Sequence, residues 1–241
     1  ANPDGATAKP LAEVTLRQPI TRPGTIYCAA SNYFDHSKEM QGKDLDKSSV
    51  EPYFFVKSTS VCIGPGEEVR LPMKYSEKYD WEAEITAVVG RAARNLTLDN
   101  ALECLAGYTI LNDLSARDRG RRDDWPFKSD WFGQKCFDTS GPMGPWVTPA
   151  DEIADPQNLA IKTTISGEVK QDSSSTNMVF SLAEQIVSLT AQLTLKPGDL
   201  IATGTCAGVG AATQRFLKPG DHIHMEIEGL GVLENPVVAG D

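Results

Sequence analysis

With 241 residues, and 33 Asp and Glu against 23 Lys and Arg, the chain can bury a substantial core and carries a net charge of −10, which opposes approach to a phosphate backbone and excludes nucleic acid as the expected partner. No segment approaches the roughly 20 consecutive apolar residues of a membrane span, and residues 1–20 lack the apolar stretch of a signal peptide. Five cysteines, Cys28, Cys62, Cys104, Cys136 and Cys206, are odd in number, widely spaced and without a CxxC pair, so neither a zinc ribbon nor a disulfide framework is expected and a reducing, cytoplasmic setting fits.

Residues 1–24 are rich in Pro, Gly and Ala and read as an arm or the remnant of a small preceding element, with one strand-like piece at Val14–Leu16. Residues 25–241 form the main domain. Ile26–Ala30 is a short apolar run that leads into Ser31–Met40, where polar and aromatic residues suit a loop and a short helix; polar Gln41–Glu51 follows as a candidate mobile loop. Strand signals then dominate, at Tyr53–Val56, at Glu68–Leu71 after a Gly64-Pro65-Gly66 turn, and at Trp81–Val89 with clear alternation. Leu98, Ala101, Leu102 and Leu105 recur at helical spacing, which predicts a helix over Leu98–Ala106 with Thr97 as its cap and Gly107 at its end. Tyr108–Ser115 returns to a strand pattern and puts Asp113 at the strand's far end, and residues 116–135 read as a long Arg-rich surface loop. A hairpin at Ile165–Glu168, an amphipathic helix at Leu182–Leu189, and two Lys-Pro-Gly-Asp turns, Lys196–Asp199 and Lys218–Asp221, complete the pattern. Pro at the second and Gly at the third position of each turn specify type II geometry. The whole is a strand-rich α+β pattern, mostly β, without the βαβ alternation of a Rossmann or TIM fold.

Within that pattern Glu82 and Glu84 share one face of a strand, and Asp113 lies at the end of the next. By spacing alone the two glutamates read as the solvated face of an alternating strand; the apolar continuation into Val88 and Val89 favours a buried, all-oxygen site. Such a donor set suits Mg²⁺, with Mn²⁺ or Ca²⁺ as alternatives. His36 and Glu39 stand three apart, so on a helical turn the carboxylate can orient the imidazole as a general base, although an ordinary surface pair has the same spacing. His222 and His224 share a strand face without a third nitrogen ligand and read as structural or exposed, opposite a core face of Ile223, Met225 and Ile227. Gly204–Gly210 lacks the Gly-Lys-Ser/Thr ending of a phosphate loop; it suits a tight loop whose amides, with the Thr205 hydroxyl, meet a carboxylate.

Taken in order, Asn32-Tyr33 with His36 and Glu39, Pro52–Lys57, Gly64-Pro65-Gly66, Glu82-Ala83-Glu84, Gly107-Tyr108, Asn112-Asp113 with Ser115-Ala116-Arg117-Asp118, Lys135 with Phe137-Asp138, Gly144-Pro145-Trp146, Pro197-Gly198-Asp199 and Gly204-Thr205 resemble the fumarylacetoacetate hydrolase family over about residues 26–238. The resemblance implies a mixed β-sandwich roll of that family's C-terminal domain type, with a few short helices, assembled as a homodimer and holding Mg²⁺ on Glu82, Glu84 and Asp113. It implies His36 and Glu39 as a water-activating dyad on a mobile lid, Lys135 as a catalytic cation, and Arg117, Thr205, Gly204 and Lys57 as substrate-binding residues. The implied reaction is hydrolysis of a carbon–carbon bond in a 3-acylpyruvate or diketo acid, diketo sugar acids included, through a metal-bound enolate; the alternative is an oxaloacetate decarboxylase or a keto-acid isomerase or hydratase on the same site. Either way the partner is a small anionic keto acid. One departure stands out: many members carry Gln where this chain has Gly120, while Cys206 replaces a frequent Pro and Cys136 a frequent Ser.

Overall fold

The computed structural model describes residues 9–241. Strands β1 (Ile26–Ala29), β2 (Phe54–Lys57), β3 (Cys62–Ile63), β4 (Val69–Leu71), β5 (Tyr79–Asp80), β6 (Ala83–Val89), β7 (Leu105–Asn112) and β8 (Ser115–Ala116) make up the first half, with helix α1 (Phe34–Gln41) between β1 and β2. A two-residue-strand hairpin, β9 (Arg121–Arg122) and β10 (Lys128–Ser129), leads to the short helix α2 (Trp131–Lys135). The second half contains β11 (Gly141–Pro149), β12 (Ala160–Ile165), β13 (Glu168–Ser174), α3 (Leu182–Gln192), β14 (Leu200–Ala202), α4 (Gly210–Thr213), β15 (His222–Ile227) and β16 (Gly231–Ala239). Two sheets carry the architecture, a seven-stranded one in the order β2-β1-β14-β6-β7-β11-β3 and a five-stranded one in the order β13-β12-β15-β16-β4. Parallel pairs β1/β14, β11/β3 and β16/β4 interrupt otherwise antiparallel ladders, which makes a mixed, mostly β, α+β fold.

Alternation along β6 divides its side chains between two cores. Ala83, Ile85, Ala87 and Val89 face the large core, where they meet Ile161, Ile223, Met225 and Ile227 of the five-stranded sheet and Ile186 and Leu189 of α3. Val88 faces a smaller core with Ile26, Leu111, Met143 and Leu200, and Glu82, Glu84 and Thr86 share its parity. Every β6 residue is buried, so the strand has no solvated face. Helix α3 begins with a capping box between Ser181 and Glu184. Both Lys-Pro-Gly-Asp turns close as predicted: Asp199 N donates to Lys196 O and Asp221 N to Lys218 O, each at 3.0 Å, with Gly198 and Gly220 at φ 87° and 94°. In each, the aspartate side chain also accepts from the turn's lysine amide.

Three expected elements differ. Leu98–Ala106 is not a helix: a single 3₁₀ turn, Ala101–Cys104, joins β6 to β7. Leu98 is 60% exposed and Leu102 37%, so the apolar spacing buries no stripe, and the Cys104 carbonyl accepts from Gly90 N at 2.8 Å, which draws the chain into a strand. Gly107 lies within β7, where a Cβ would collide with the Thr148 carbonyl of β11. Residues 116–135 are not one loop but carry β9, β10 and α2, the last started by Asp130 Oδ1 accepting from Gly133 N at 2.7 Å. Val14–Leu16 pairs with no strand, following a 3₁₀ turn at Leu11–Glu13. His222 and His224 lie opposite a core face of Ile223, Met225 and Ile227, and the five cysteines are unpaired. No described helix is long and apolar enough to cross a membrane.

Candidate metal centre and active site

Ladder register assembles the carboxylates. Ala83 pairs with Asn112 and Ile85 with Ile110, so the chain turns past Asn112 beside Glu82. There Asp113 N donates to Glu82 O at 2.9 Å, and the Asn112 carboxamide oxygen accepts from Glu82 N at 3.0 Å. Glu82, Glu84 and Asp113 come to rest buried, each with a ligand oxygen within 4.8 Å of the others.

Cations compensate these charges unevenly. Lys135 Nζ bridges Glu82 Oε2 at 2.6 Å and Asp113 Oδ2 at 2.7 Å. Arg117 Nη2 stands 2.6 Å from Glu82 Oε1, and its Nε donates to Asp80 Oδ2 at 2.7 Å. Lys57 Nζ lies 2.9 Å from Asp113 Oδ1 and donates to the Lys135 and Leu114 carbonyls, beneath the site rather than in its wall. Glu84 has no cation within 4 Å among the described residues; its partner is Gly204 N at 2.9 Å. The carboxyl groups titrate accordingly. Burial resists ionisation of Glu82, but Lys135 and Arg117 hold it down at about 2, whereas burial, Asp113 and Glu82 push Glu84 well above the ordinary carboxylate range. Burial works against the charge on Lys135, yet Asp113 and Glu82 hold it protonated. Four buried carboxylates, Asp80 included, thus face three cations. Three hard oxygen donors, one of them uncompensated, fit a divalent cation of the Mg²⁺ or Mn²⁺ kind.

Helix α1 approaches from the other side. His36 lines the cavity with the carboxylates, and its Nδ1 faces Glu39 Oε2 at 3.4 Å. Glycine-loop amides dock the helix: Gly208 N donates to Glu39 Oε1 at 3.0 Å and Ala207 N to Asp35 Oδ1 at 3.3 Å, while the Ser173 hydroxyl donates to Asp35 Oδ2 at 2.7 Å. The loop's amides therefore do meet carboxylates, and these are the protein's own. Thr205 also lines the cavity; its hydroxyl donates to Ala83 O at 3.0 Å and accepts from Gln171 at 2.8 Å, so that proton and the Gly204 amide are both spent on holding β6 and Glu84.

Several contributors lay outside the sequence-derived set. Asp80 continues the Glu82–Glu84 alternation by one step and accepts from Arg117, Gly210 and Ala211, which ties the glycine loop to the guanidinium. Period-two spacing already marked it. Phe55 and Trp131 line the cavity and stack at 4.5 Å. Gln134 also lines the cavity, and a Cβ built on Gly120 would collide with its Oε1, so a side chain at residue 120 would have to displace the Gln134 carboxamide from its present place. Its carboxamide makes no hydrogen bond among the described residues.

Comparison with known proteins adds the family. A model described as "Fumarylacetoacetate (FAA) hydrolase C-terminal" matches residues 25–238. The human protein named "Oxaloacetate tautomerase FAHD2A, mitochondrial" is 40% identical over 234 residues, covering 95% of this chain and 71% of its own length; the Xenopus laevis counterpart is 39% identical over 230 residues, covering 93% and 69%. Among solved structures, Cg1458 with inhibitor superposes at a TM-score of 0.84 with 36% identity, covering 96% of this chain and 82% of that one. Maleylpyruvate hydrolase from Sphingobium sp. SYK-6, in complex with manganese(II) and pyruvate, superposes at 0.78 with 30% identity, covering 96% and 76%. The chain belongs to the fumarylacetoacetate hydrolase family.

Proposed function

We propose that the protein is a metal-dependent hydrolase of the carbon–carbon bond between the acyl group and the pyruvate unit of a 3-acylpyruvate or related diketo acid. The observation that carries this reading is that His36, with Glu39 behind its Nδ1, lines the same cavity as the Glu82–Glu84–Asp113 trio. The three carboxylates would hold Mg²⁺, which when bound supplies charge to anchor a keto acid and to stabilise negative charge developing on its oxygens. Lys135 and Arg117 keep Glu82 ionised and oriented for that task.

A carboxylate beside His36 Nδ1 favours the proton there and leaves Nε2 as the basic nitrogen. His36 takes a proton from water as the oxygen adds to the distal carbonyl. Gln134 offers its carboxamide to the carbonyl oxygen, a donor that a side chain on residue 120 does not supply here. As the carbon–carbon bond breaks, its electron pair passes to the pyruvate fragment, which takes up a proton at C3; the acyl fragment leaves as a carboxylic acid. The tautomerase names of the relatives support a second reading, interconversion of the keto and enol forms of oxaloacetate, which uses the same anchor and needs no attacking water.

Loss of the acylpyruvate enol absorbance, followed with and without Mg²⁺, tests the scheme. Metal-dependent cleavage to pyruvate is expected, and turnover that persists in EDTA or is undiminished in Glu82→Ala would overturn it.

A further inference from the structure

The cavity that contains the carboxylates is small, about 70 Å³, and adjoins a chamber of about 280 Å³ that shares Ala29, Ala30, Ser31 and Trp131 in its wall. Three aromatic rings run from one compartment to the other. Phe55 lines the inner cavity and stacks on Trp131 at 4.5 Å and 10°, and Tyr53, in the chamber, lies 6.1 Å from Trp131. Leu45, Val50, Pro52 and Phe180 extend the chamber's apolar lining.

Charge separates the two compartments. The inner one has three carboxylates with Lys135, Arg117 and His36, whereas Glu51 is the only charged residue lining the chamber among those described. Lys47 approaches the Phe180 ring at 5.1 Å, but its ammonium is tied to both Glu184 oxygens at 2.7 and 2.9 Å. A second carboxylate on a bound keto acid would find no free cation there and would meet Glu51. An apolar tail would leave water for aromatic and aliphatic walls.

Resting on the keto-acid reading above, we propose that this chamber is the subsite for the substrate's acyl tail, and that the tail is neutral and apolar, aromatic or branched aliphatic, rather than a second carboxylate. Gln41 of its wall ends α1, whose His36 borders the inner cavity, and Leu45, Val50 and Glu51 lie in the connection that runs from α1 to β2. A tail that fills the chamber therefore packs on the segment that carries the general base, and its binding energy raises kcat as well as lowering KM.

Three substrates with one head and different tails test this: acetylpyruvate, benzoylpyruvate and an acylpyruvate ending in a carboxylate. The wild type is expected to favour benzoylpyruvate over both others by about tenfold or more in kcat/KM. Val50→Lys places a cation in the chamber and inverts the preference between benzoyl and carboxylate tails. Tyr53→Ala, at the exposed rim, lowers the benzoyl-to-acetyl ratio without favouring the carboxylate tail. A wild type that handles the carboxylate tail as well as the benzoyl one, or a ratio unmoved by Val50→Lys, overturns the proposal. If no acylpyruvate is cleaved, the hydrolase reading fails by itself, and the chamber is read by calorimetry with the Mg²⁺-loaded protein. Phenylpyruvate binding more tightly than pyruvate, with the difference lost in Val50→Lys, sustains the subsite; equal affinities overturn it.

Discussion

Glu84 stands on β6 of the seven-stranded sheet, with Glu82 just before that strand and Asp113 just past the end of β7, all buried and tied by Asp113 N to Glu82 O and Glu82 N to the Asn112 carboxamide, whereas His36 and Glu39 stand on an eight-residue helix that side-chain bonds fasten to the glycine loop and Ser173. Strand register cannot shift by one residue without turning the Glu84 side chain into the opposite core, whereas α1 is a short helix held by side-chain bonds, by buried His36 and Ser37 and by its core-packed N-cap Tyr33. We propose that the anchor for the substrate's head is a fixed part of the sheet and that the water-activating pair is carried on a helix able to separate from it. In a family whose members bear hydrolase, isomerase and tautomerase names, such an arrangement would give one fold several outcomes.

The largest expected effects are on the fixed side, and they distinguish its two glutamates. Bound as proposed, Mg²⁺ at 100 times its Kd should add about 2.7 kcal/mol of stability, which for a chain of this size would raise Tm by roughly 5–11 °C. Glu84→Gln should abolish that rise in a thermal melt. In EDTA the order reverses. Glu82→Gln should destabilise by about 3 kcal/mol in urea titrations, because Lys135 and Arg117 lose a buried counter-charge, while Glu84→Gln replaces a carboxyl that pairs with no cation among the described residues and should cost little. Equal losses would break the uneven compensation that marks the proposed metal site.

Next in size is the exchange of space between Gly120 and Gln134. Gly120→Gln displaces the Gln134 carboxamide, and moving that proposed donor should lower kcat/KM by about 10- to 100-fold, an effect of a residue that orients others at a site. Gly120→Gln with Gln134→Gly should recover most of the loss, since contacting residues are energetically coupled. On the detachable side, Ser173→Ala removes a hydrogen bond to the Asp35 carboxylate, worth about 1.5 kcal/mol. It should lower kcat by roughly tenfold and leave the Mg²⁺-induced Tm rise intact.

The smallest effect is at Lys47, which pairs with Glu184 at a half-exposed site. Lys47→Ala should cost under about 1 kcal/mol. Burial opposes ionisation of Glu184, but Lys47 and Ser181 hold its carboxyl below the ordinary value of 4.5. This contribution is therefore present above that value and is lost as pH falls through the lowered one, so the wild-type and Lys47→Ala melts should converge in acid.

What the sequence made legible was short-range. Alternation located β6 and put Glu82 and Glu84 on one face, and the two Lys-Pro-Gly-Asp turns and the Ile165–Glu168 hairpin folded as their residues dictate. What it hid depended on partners far along the chain. Leu98–Ala106 has a helix's spacing but lends the Cys104 carbonyl to Gly90 and becomes the edge of a strand. Arg117, in what read as an exposed loop, is drawn inside by Asp80 and Glu82. Thr205 carries the hydroxyl expected to meet a substrate, yet Ala83 and Gln171 already engage it. Gln134 had no local signal, since its carboxamide sits in space left open by Gly120, fourteen residues earlier.

The division between a fixed anchor and a separable water-activating group is tested most directly in His36→Ala, by following proton exchange at C3 of an acylpyruvate and its cleavage to pyruvate in the same Mg²⁺-containing sample by NMR. Exchange should continue near the wild-type rate while cleavage falls by about 10² to 10⁴. Equal loss of both, or cleavage that survives, would contradict it.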